Sequence, residues 1–175
     1  SFKPFVYSAA LAKGITSSTV VNNTQKSLPG RGPNGSTWNP KNSDGRYAGN
    51  ITLRQALTAS KNMVSIRILM SIGVGYAQQY IQRFGFAASE IPASLSMALG
   101  TGETTPMKMA EGYAVFANGG YRVSSYVIDR IYDSQDRLRA QMQPLIAKEN
   151  APQAIDPRNA YIMYNMMRDV VRYGT

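Results

Sequence analysis

The sequence predicts an α+β domain, in which several helices accompany a small amount of antiparallel sheet. Apolar residues recur at helical spacing in many stretches of the chain, whereas one stretch near residue 130 is rich in β-branched and aromatic residues. The length of 175 residues, 43% of them hydrophobic, suits one domain or a large part of one. Because a two-stranded hairpin is marginal alone, we expect the helices to pack on a sheet whose other strands lie outside this chain.

The first predicted helix covers residues 2–13, and Gly14 supplies its C-terminal stop. Proline is tolerated only in a first helical turn, so Pro4 predicts a helix start at or just before Ser1. Residues 22–50 are rich in Asn, Gly, Pro and Ser and are predicted to form a long loop. Trp38, the only tryptophan, lies in that loop, where it either anchors the loop to the body or faces a substrate.

Next along the chain, Thr52 is predicted to cap a short helix that breaks at residues 60–62 (SKN). Residues 63–72 are apolar nearly all round, which predicts a buried helix. Polar side chains at the entrance of a buried helix need partners, so residues 60–62 should either cap that helix or line a cavity.

The remaining elements follow from local signals of the same kind. They are an amphipathic helix over residues 75–84 ending at Gly85, a helix opened by Thr105 and Pro106, a hairpin of strands 121–133 and 137–142, and a last helix opened by Asp156 and Pro157.

The composition limits the chemistry that the chain could perform. It contains no Cys and no His, which excludes a disulfide framework, a thiol nucleophile and the usual general base. Proton transfer would fall to Lys, Asp, Glu or Tyr, and we expect no metal and no cofactor. The net charge is +9, but the charges are scattered and no basic stripe alternates with aromatic residues, so nucleic acid is not an expected partner.

Lys3 is the first candidate for chemistry. It lies in the first turn of an apolar helix, where the helix dipole repels a cation, so a lysine there is unusual. It is either a surface lysine that extends to solvent or a lysine of lowered pKa that can take a proton from a hydroxyl group. A serine three residues earlier would share its helical face, and that position immediately precedes Ser1.

Ser60 and Asn62 are the second candidates. A hydroxyl and an amide two residues apart can face one pocket from a non-helical turn, but either side chain could simply cap the helix that follows.

Taken together, these segments resemble the transpeptidase domain of bifunctional class A penicillin-binding proteins of the Gram-negative type. Residues 1–5 (SFKPF) look like the end of a Ser-x-x-Lys motif, and residues 60–62 look like the Ser-x-Asn motif. The likeness runs through almost the whole chain and includes residues 38–42 (WNPKN), 97–100 (MALG) and 113–122 (YAVFANGGYR).

The resemblance implies the fold shared by penicillin-binding proteins and serine β-lactamases, with helices on an antiparallel sheet and residues 1–175 forming part of it. It also implies a D,D-transpeptidase or carboxypeptidase that acts through a serine acyl-enzyme. Lys3 matches the general base, Ser60 the hydroxyl that relays a proton, and Asn62 the amide that binds the substrate peptide; Trp38 is a further candidate for substrate binding. The nucleophilic serine is expected immediately before Ser1, and the Lys-Thr-Gly strand beyond Thr175.

The implied partners are peptidoglycan stem peptides, β-lactam antibiotics and other cell-wall synthesis proteins. The resemblance also implies a glycosyltransferase domain elsewhere, a membrane anchor outside this chain, and the periplasmic side of the inner membrane. The alternatives are a serine β-lactamase, a β-lactam sensor and a non-catalytic cell-wall module. A β-lactamase needs a carboxylate that positions the deacylating water. The sequence around each of its four glutamates does not resemble the loop that carries this carboxylate; they are Glu90, Glu103, Glu111 and Glu149.

Overall fold

The structure is a computed structural model that describes residues 2–174, and this part of the chain combines helices with two short antiparallel strand pairs. The helices are α1 (Lys3–Ala12), α2 (Leu53–Thr58), α3 (Asn62–Ile72), α4 (Val74–Ile81), α5 (Pro106–Ala117) and α6 (Pro157–Tyr173). The strands are β1 (Val20–Asn22), β2 (Asn50–Thr52), β3 (Arg130–Tyr132) and β4 (Leu138–Gln141). The mixture agrees with the predicted α+β class.

Helices α1 and α3 form the centre of the molecule. Residues 3–10 of α1 are all buried, and so are seven of the eleven residues of α3. Helix α1 packs against α3, α4 and α6, while α2 and α5 also contact α6. The predicted burial of residues 63–72 is thus confirmed for most of them, although Met70 and Ser71 are exposed.

Aromatic side chains fill the core on one side of α1. The ring of Phe5 is fully buried and lies 5.0–5.6 Å, centroid to centroid, from five other rings. Those rings belong to Phe2, Phe84, Phe86, Tyr113 and Phe116. This cluster fixes the start of α1, where Lys3 lies two residues before Phe5.

The predicted helix starts are confirmed by their caps. Thr52 accepts a hydrogen bond from the backbone N–H of Gln55, whose side chain accepts one from the N–H of Thr52, so the two residues form a capping box. Thr105 and Asp156 cap α5 and α6 through their side-chain oxygens. Gly85 ends the α4 region in the left-handed conformation, with φ +100°.

One strand prediction was wrong in its boundaries, whereas one helix prediction lies outside the described residues. Within residues 2–174, helix α1 begins at Lys3 with Phe2 as its N-cap, and the predicted start at or just before Ser1 falls outside this range. The predicted strand 121–133 is reduced to β3, because residues 126–128 have no neighbouring strand in residues 2–174 and Val127 is 91% exposed. Strand propensity alone does not form a strand when no partner offers hydrogen bonds.

The structure adds a strand pair that the sequence did not indicate. Strands β1 and β2 pair in the register Val20 with Thr52 and Asn22 with Asn50, so they close the base of the long loop 22–50. Inside the loop, Leu28 and Trp38 exchange backbone hydrogen bonds of 2.8 and 2.9 Å. Backbone hydrogen bonds therefore hold the loop in a defined conformation at its base and at its middle.

No helix within residues 2–174 has the length and apolar character needed to cross a membrane.

Candidate active site

Lys3, Ser60 and Asn62 meet at the start of α1, although 57 residues separate Lys3 from Ser60. The Lys3 ammonium donates three hydrogen bonds, to Ser60 O at 2.7 Å, to Ser60 Oγ at 2.8 Å and to Asn62 Oδ1 at 2.8 Å. All three residues that the sequence singled out for chemistry are thus in direct contact.

The helix end of α2 positions Ser60. The N–H of Ser60 donates to Leu57 O at 3.0 Å, and the N–H of Lys61 donates to Ala56 O at 2.9 Å. These two bonds form a Schellman motif, in which Ser60 occupies the left-handed position with φ +51°. Glycine usually takes that position, so serine there costs conformational energy of about 1 kcal/mol, which surrounding contacts must offset.

Neither Ser60 nor Asn62 caps α3, which was the simpler interpretation of these polar residues. The N-cap residue is Lys61, whose side chain makes no cap bond. The cap comes from the long loop, because the N–H of Met63 donates to Asn42 Oδ1 at 3.1 Å. The side chains of Ser60 and Asn62 therefore remain available to Lys3.

Asn62 links Lys3 to the loop. Its Oδ1 accepts from Lys3, while its Nδ2 donates to Lys41 O at 2.9 Å and to Ser43 Oγ at 3.4 Å. Because both ends of the amide are engaged, its orientation is determined, with the oxygen toward Lys3.

The environment of Lys3 lowers its basicity. Lys3 is 8% exposed, and burial lowers the pKa of its ammonium from 10.5 to about 8. Desolvation penalises the charged form, and none of the three acceptors around Nζ carries a formal charge. A lysine of this kind is partly neutral near pH 8 and can serve as a general base.

The hydrogen-bond partners show where the proton can move. A neutral lysine keeps two N–H groups and gains one lone pair. Ser60 O and Asn62 Oδ1 can only accept, so the two remaining N–H groups suit them. The lone pair can then receive a proton from Ser60 Oγ or from another hydroxyl brought beside Nζ, so the 2.8 Å contact permits proton transfer between Lys3 and Ser60.

Trp38 has a different place in the structure. Its side chain is partly buried and packs against the hydrophobic core, and its backbone pairs with Leu28. None of the hydrogen bonds found within residues 2–174 connects Trp38 with Lys3, Ser60 or Asn62. These contacts suit an anchor of the long loop, and substrate binding by Trp38 stays a prediction.

Sequence reasoning missed the loop residues that support the site. Asn42, Asp44 and the backbone oxygens of Lys41 and Arg46 all contact residues 61–63. The available signal was the length and polarity of the loop that precedes β2 and α2. The part of the chain that the structure describes has no cluster of three or more Asp or Glu side chains able to hold a metal ion.

Comparison with known proteins identifies the fold. Penicillin-binding protein 1A of Neisseria flavescens is 81% identical over 175 residues, which cover all of this chain and 22% of that relative. The crystal structure of penicillin-binding protein 1A from Haemophilus influenzae is 33% identical and matches with a TM-score of 0.92 over 98% of this chain and 29% of that chain. Penicillin-binding protein A of M. tuberculosis, in its imipenem acyl-enzyme complex, is 18% identical and has a TM-score of 0.83 over 99% of this chain and 43% of that chain, a likeness of fold alone.

These matches confirm the predicted resemblance and the predicted fold class. The chain spans about a fifth of the length of the curated Neisseria relatives, which are class A penicillin-binding proteins. A family model described as the penicillin binding protein transpeptidase domain matches residues 1–175. The chain therefore belongs to the penicillin-binding protein transpeptidase family.

Proposed function

We propose that the protein carrying this chain is a serine D,D-transpeptidase that cross-links peptidoglycan stem peptides and is acylated by β-lactams. The observation that carries the proposal is the contact of Lys3 Nζ with Ser60 Oγ and Asn62 Oδ1, each at 2.8 Å, combined with a Lys3 pKa near 8. A buried lysine whose hydrogen-bond partners carry no charge, placed beside a hydroxyl group, is the arrangement that activates a serine in the absence of histidine.

The proposed nucleophile is a serine that immediately precedes Ser1 in the full-length protein. A separation of three residues corresponds to about one helical turn, which places such a hydroxyl within reach of Lys3. Lys3 is assigned as the base for acylation, Ser60 as the proton relay, and Asn62 as the group that orients Lys3 and binds the substrate amide. The Lys-Thr-Gly strand is assigned to the sequence that follows Thr175 in the full-length protein.

The reaction proposed for this site is acyl transfer in two steps. Neutral Lys3 takes the proton from the serine hydroxyl while the serine oxygen attacks the carbonyl carbon of the D-Ala-D-Ala bond. The proton passes through Ser60 to the leaving nitrogen, the C–N bond breaks, and D-Ala departs. An amine of a neighbouring stem then attacks the ester carbon, loses its proton to the same path, and releases the serine hydroxyl.

Labelling with a fluorescent penicillin tests this proposal in the full-length protein. We expect one covalent adduct per molecule, and mass spectrometry should place it on the residue three positions before Lys3. A Lys3→Met variant should lose the label while retaining its fold. An unlabelled wild-type protein, or an adduct at another residue, would contradict the proposal.

The structure gives less support to a β-lactamase. Glu90 accepts from Lys108 and Thr104, and Glu111 accepts from Ser125, so both carboxylates are engaged away from Lys3. Drug release over minutes to hours after labelling distinguishes a β-lactamase from a transpeptidase. A sensor would be labelled but would not turn over, and a non-catalytic cell-wall module would not cross-link a lipid-linked substrate.

The location and further domains of the full-length protein also belong to the proposal. We place the active site at the periplasmic side of the inner membrane, with a glycosyltransferase domain and a membrane anchor outside residues 1–175. Other cell-wall synthesis proteins are the proposed partners. This chain covers only 22% and 27% of the relatives named penicillin-binding protein 1A from Neisseria flavescens and Pseudomonas aeruginosa, whose length leaves room for further domains.

A further inference from the structure

The turn that carries Ser60 and Asn62 contains one residue with a strained backbone conformation. Ser60 is exposed and holds a left-handed backbone conformation that serine rarely adopts. Its functional oxygens must nevertheless stay within 2.8 Å of Lys3 Nζ. The two Schellman bonds hold the backbone of Ser60, and contacts from the long loop add to them.

Lys61 reaches away from Lys3 to the long loop. Its side chain is 8% exposed, and its Nζ donates to Asp44 Oδ2 at 2.6 Å and to Arg46 O at 3.3 Å. A buried ammonium without a counter-charge is costly, so this contact ties the middle residue of the turn to the loop.

Asp44 is itself fixed by the loop. Its Oδ1 accepts from the N–H of Arg46 at 3.1 Å, and the N–H of Gly45 donates to Asn42 O at 3.0 Å. The hydrogen bond from Lys61 contributes most to holding the pKa of the Asp44 carboxyl below its ordinary value, so the carboxylate remains charged at neutral pH.

Asn42 completes the connection between the loop and α3. Its Oδ1 accepts from the N–H of Met63, while its Nδ2 donates to Arg46 O at 2.8 Å and to Asn23 Oδ1 at 2.9 Å. The same small segment of loop therefore binds the side chain of Lys61 and the first turn of α3.

We infer that Asp44 is a positioning residue that acts through Lys61 to hold Ser60 and Asn62 against Lys3. The inference rests on the proposed acyl-transfer function. Lys3 holds one side of the turn through Ser60 and Asn62, and Asp44 holds the other side through Lys61. Without the Asp44 charge, the Lys61 ammonium is drawn toward water, and its backbone movement shifts both neighbouring residues away from Lys3.

The test compares Asp44→Asn with Asp169→Asn in the full-length protein. Both aspartates accept from a basic side chain at 2.6 Å, but Asp169 pairs with Arg54 between α2 and α6 and, within residues 2–174, makes no hydrogen bond to Lys3, Ser60 or Asn62. Both changes keep the size of the side chain and remove one charge. Stopped-flow acylation by a fluorescent penicillin gives the limiting rate constant separately from non-covalent affinity.

We expect Asp44→Asn to lower the limiting acylation rate constant about tenfold to a hundredfold, because a displacement near 1 Å has an effect of that size. Non-covalent affinity should change less than about threefold, and Asp169→Asn should leave both quantities at the wild-type value. A loss of thermal stability alone, common to both variants, would indicate a merely structural role and overturn the inference.

A double-mutant cycle identifies the path through Lys61. Lys61→Met leaves no buried charge and should reproduce the loss of rate, and the double variant should be no slower than either single variant. If the rate losses of the two single variants multiply in the double variant, the inference is overturned. If Asp44→Asn does not fold, the Lys61→Met result decides, since a wild-type rate there refutes positioning through this pair. An unlabelled wild-type protein would instead refute the proposed function.

Discussion

Replacing Asn62 by Asp should raise the pKa of Lys3 and thereby slow acylation. In the wild type, Asn62 Oδ1 is a neutral acceptor 2.8 Å from Lys3 Nζ. A carboxylate at this position favours the charged ammonium, and a close opposite charge shifts a pKa by about 1–3 units. The pKa of Lys3, about 8 in the wild type, should therefore move upward and reduce the fraction of lysine that can act as a base.

The size of the effect follows from the neutral fraction. At pH 8 about half of the wild-type Lys3 is neutral, while a shift of one unit leaves about a tenth and a shift of two units about a hundredth. The acylation rate at pH 8 should thus fall about fivefold for a shift of one unit, about fiftyfold for two and about five-hundredfold for three, provided that neutral lysine is the base. The rate should recover as the pH rises toward the new pKa.

The assay is the rate of penicillin acylation of the full-length protein between pH 6 and 10. The wild-type rate should increase with pH and reach half of its plateau near pH 8. Asn62→Ala is the control, because it removes the same amide contacts without adding a charge, and its midpoint should not rise. Equal midpoints for Asn62→Asp and Asn62→Ala would refute the role of Lys3 as the titrating base.

Three further predictions concern stability and are measured by urea unfolding of the full-length protein. Phe5→Ala should lower the free energy of unfolding by about 3–5 kcal/mol, because the buried ring contacts five others and leaves a cavity; a loss below about 1 kcal/mol would mean that the cluster is not tightly packed. Gly120→Ala should lower the free energy of unfolding clearly more than Gly119→Ala. Both glycines have positive φ, but a Cβ on Gly120 would lie 2.6 Å from Ile155 O, whereas Gly119 faces open space. Equal losses of free energy would contradict this contact. Thr105→Ala should lower stability by about 1 kcal/mol through loss of the cap on Lys108 N, and no loss would show that the cap is dispensable.

Helix boundaries could be predicted from the sequence because their signals are local. The side chains of Thr52, Thr105 and Asp156 each bond to a backbone N–H two or three residues further on, so a short window contains both partners. The β-strands were less predictable, since pairing depends on a partner that local propensity does not reveal. Tyr121 shows this, because its backbone pairs with Gln153 instead of extending the hairpin.

The sequence could predict the residues of the candidate site but not the contacts that hold them in place. The motif resemblance identified Lys3, Ser60 and Asn62, whereas periodicity and composition said nothing about a contact across 57 residues. Asn42 was not predicted, because its role as the cap of α3 arises only when the long loop folds back onto that helix. A polar residue in a loop gives no local sign of which distant N–H it will accept from.

Lys3 and Lys61 have different hydrogen-bond partners, and we propose a different task for each. Lys3 is surrounded by a backbone carbonyl, a hydroxyl and an amide, all of them neutral, so burial can lower its pKa into the range of a base. Lys61, one residue after Ser60, faces the Asp44 carboxylate at 2.6 Å and serves as an anchor. If the carboxylate lay beside Lys3 instead, the ammonium would be stabilised, which would oppose the general-base role that we propose for Lys3. The single negative charge lies on the loop side of the turn, beside Lys61, and therefore leaves only neutral acceptors around the lysine that we propose as the base.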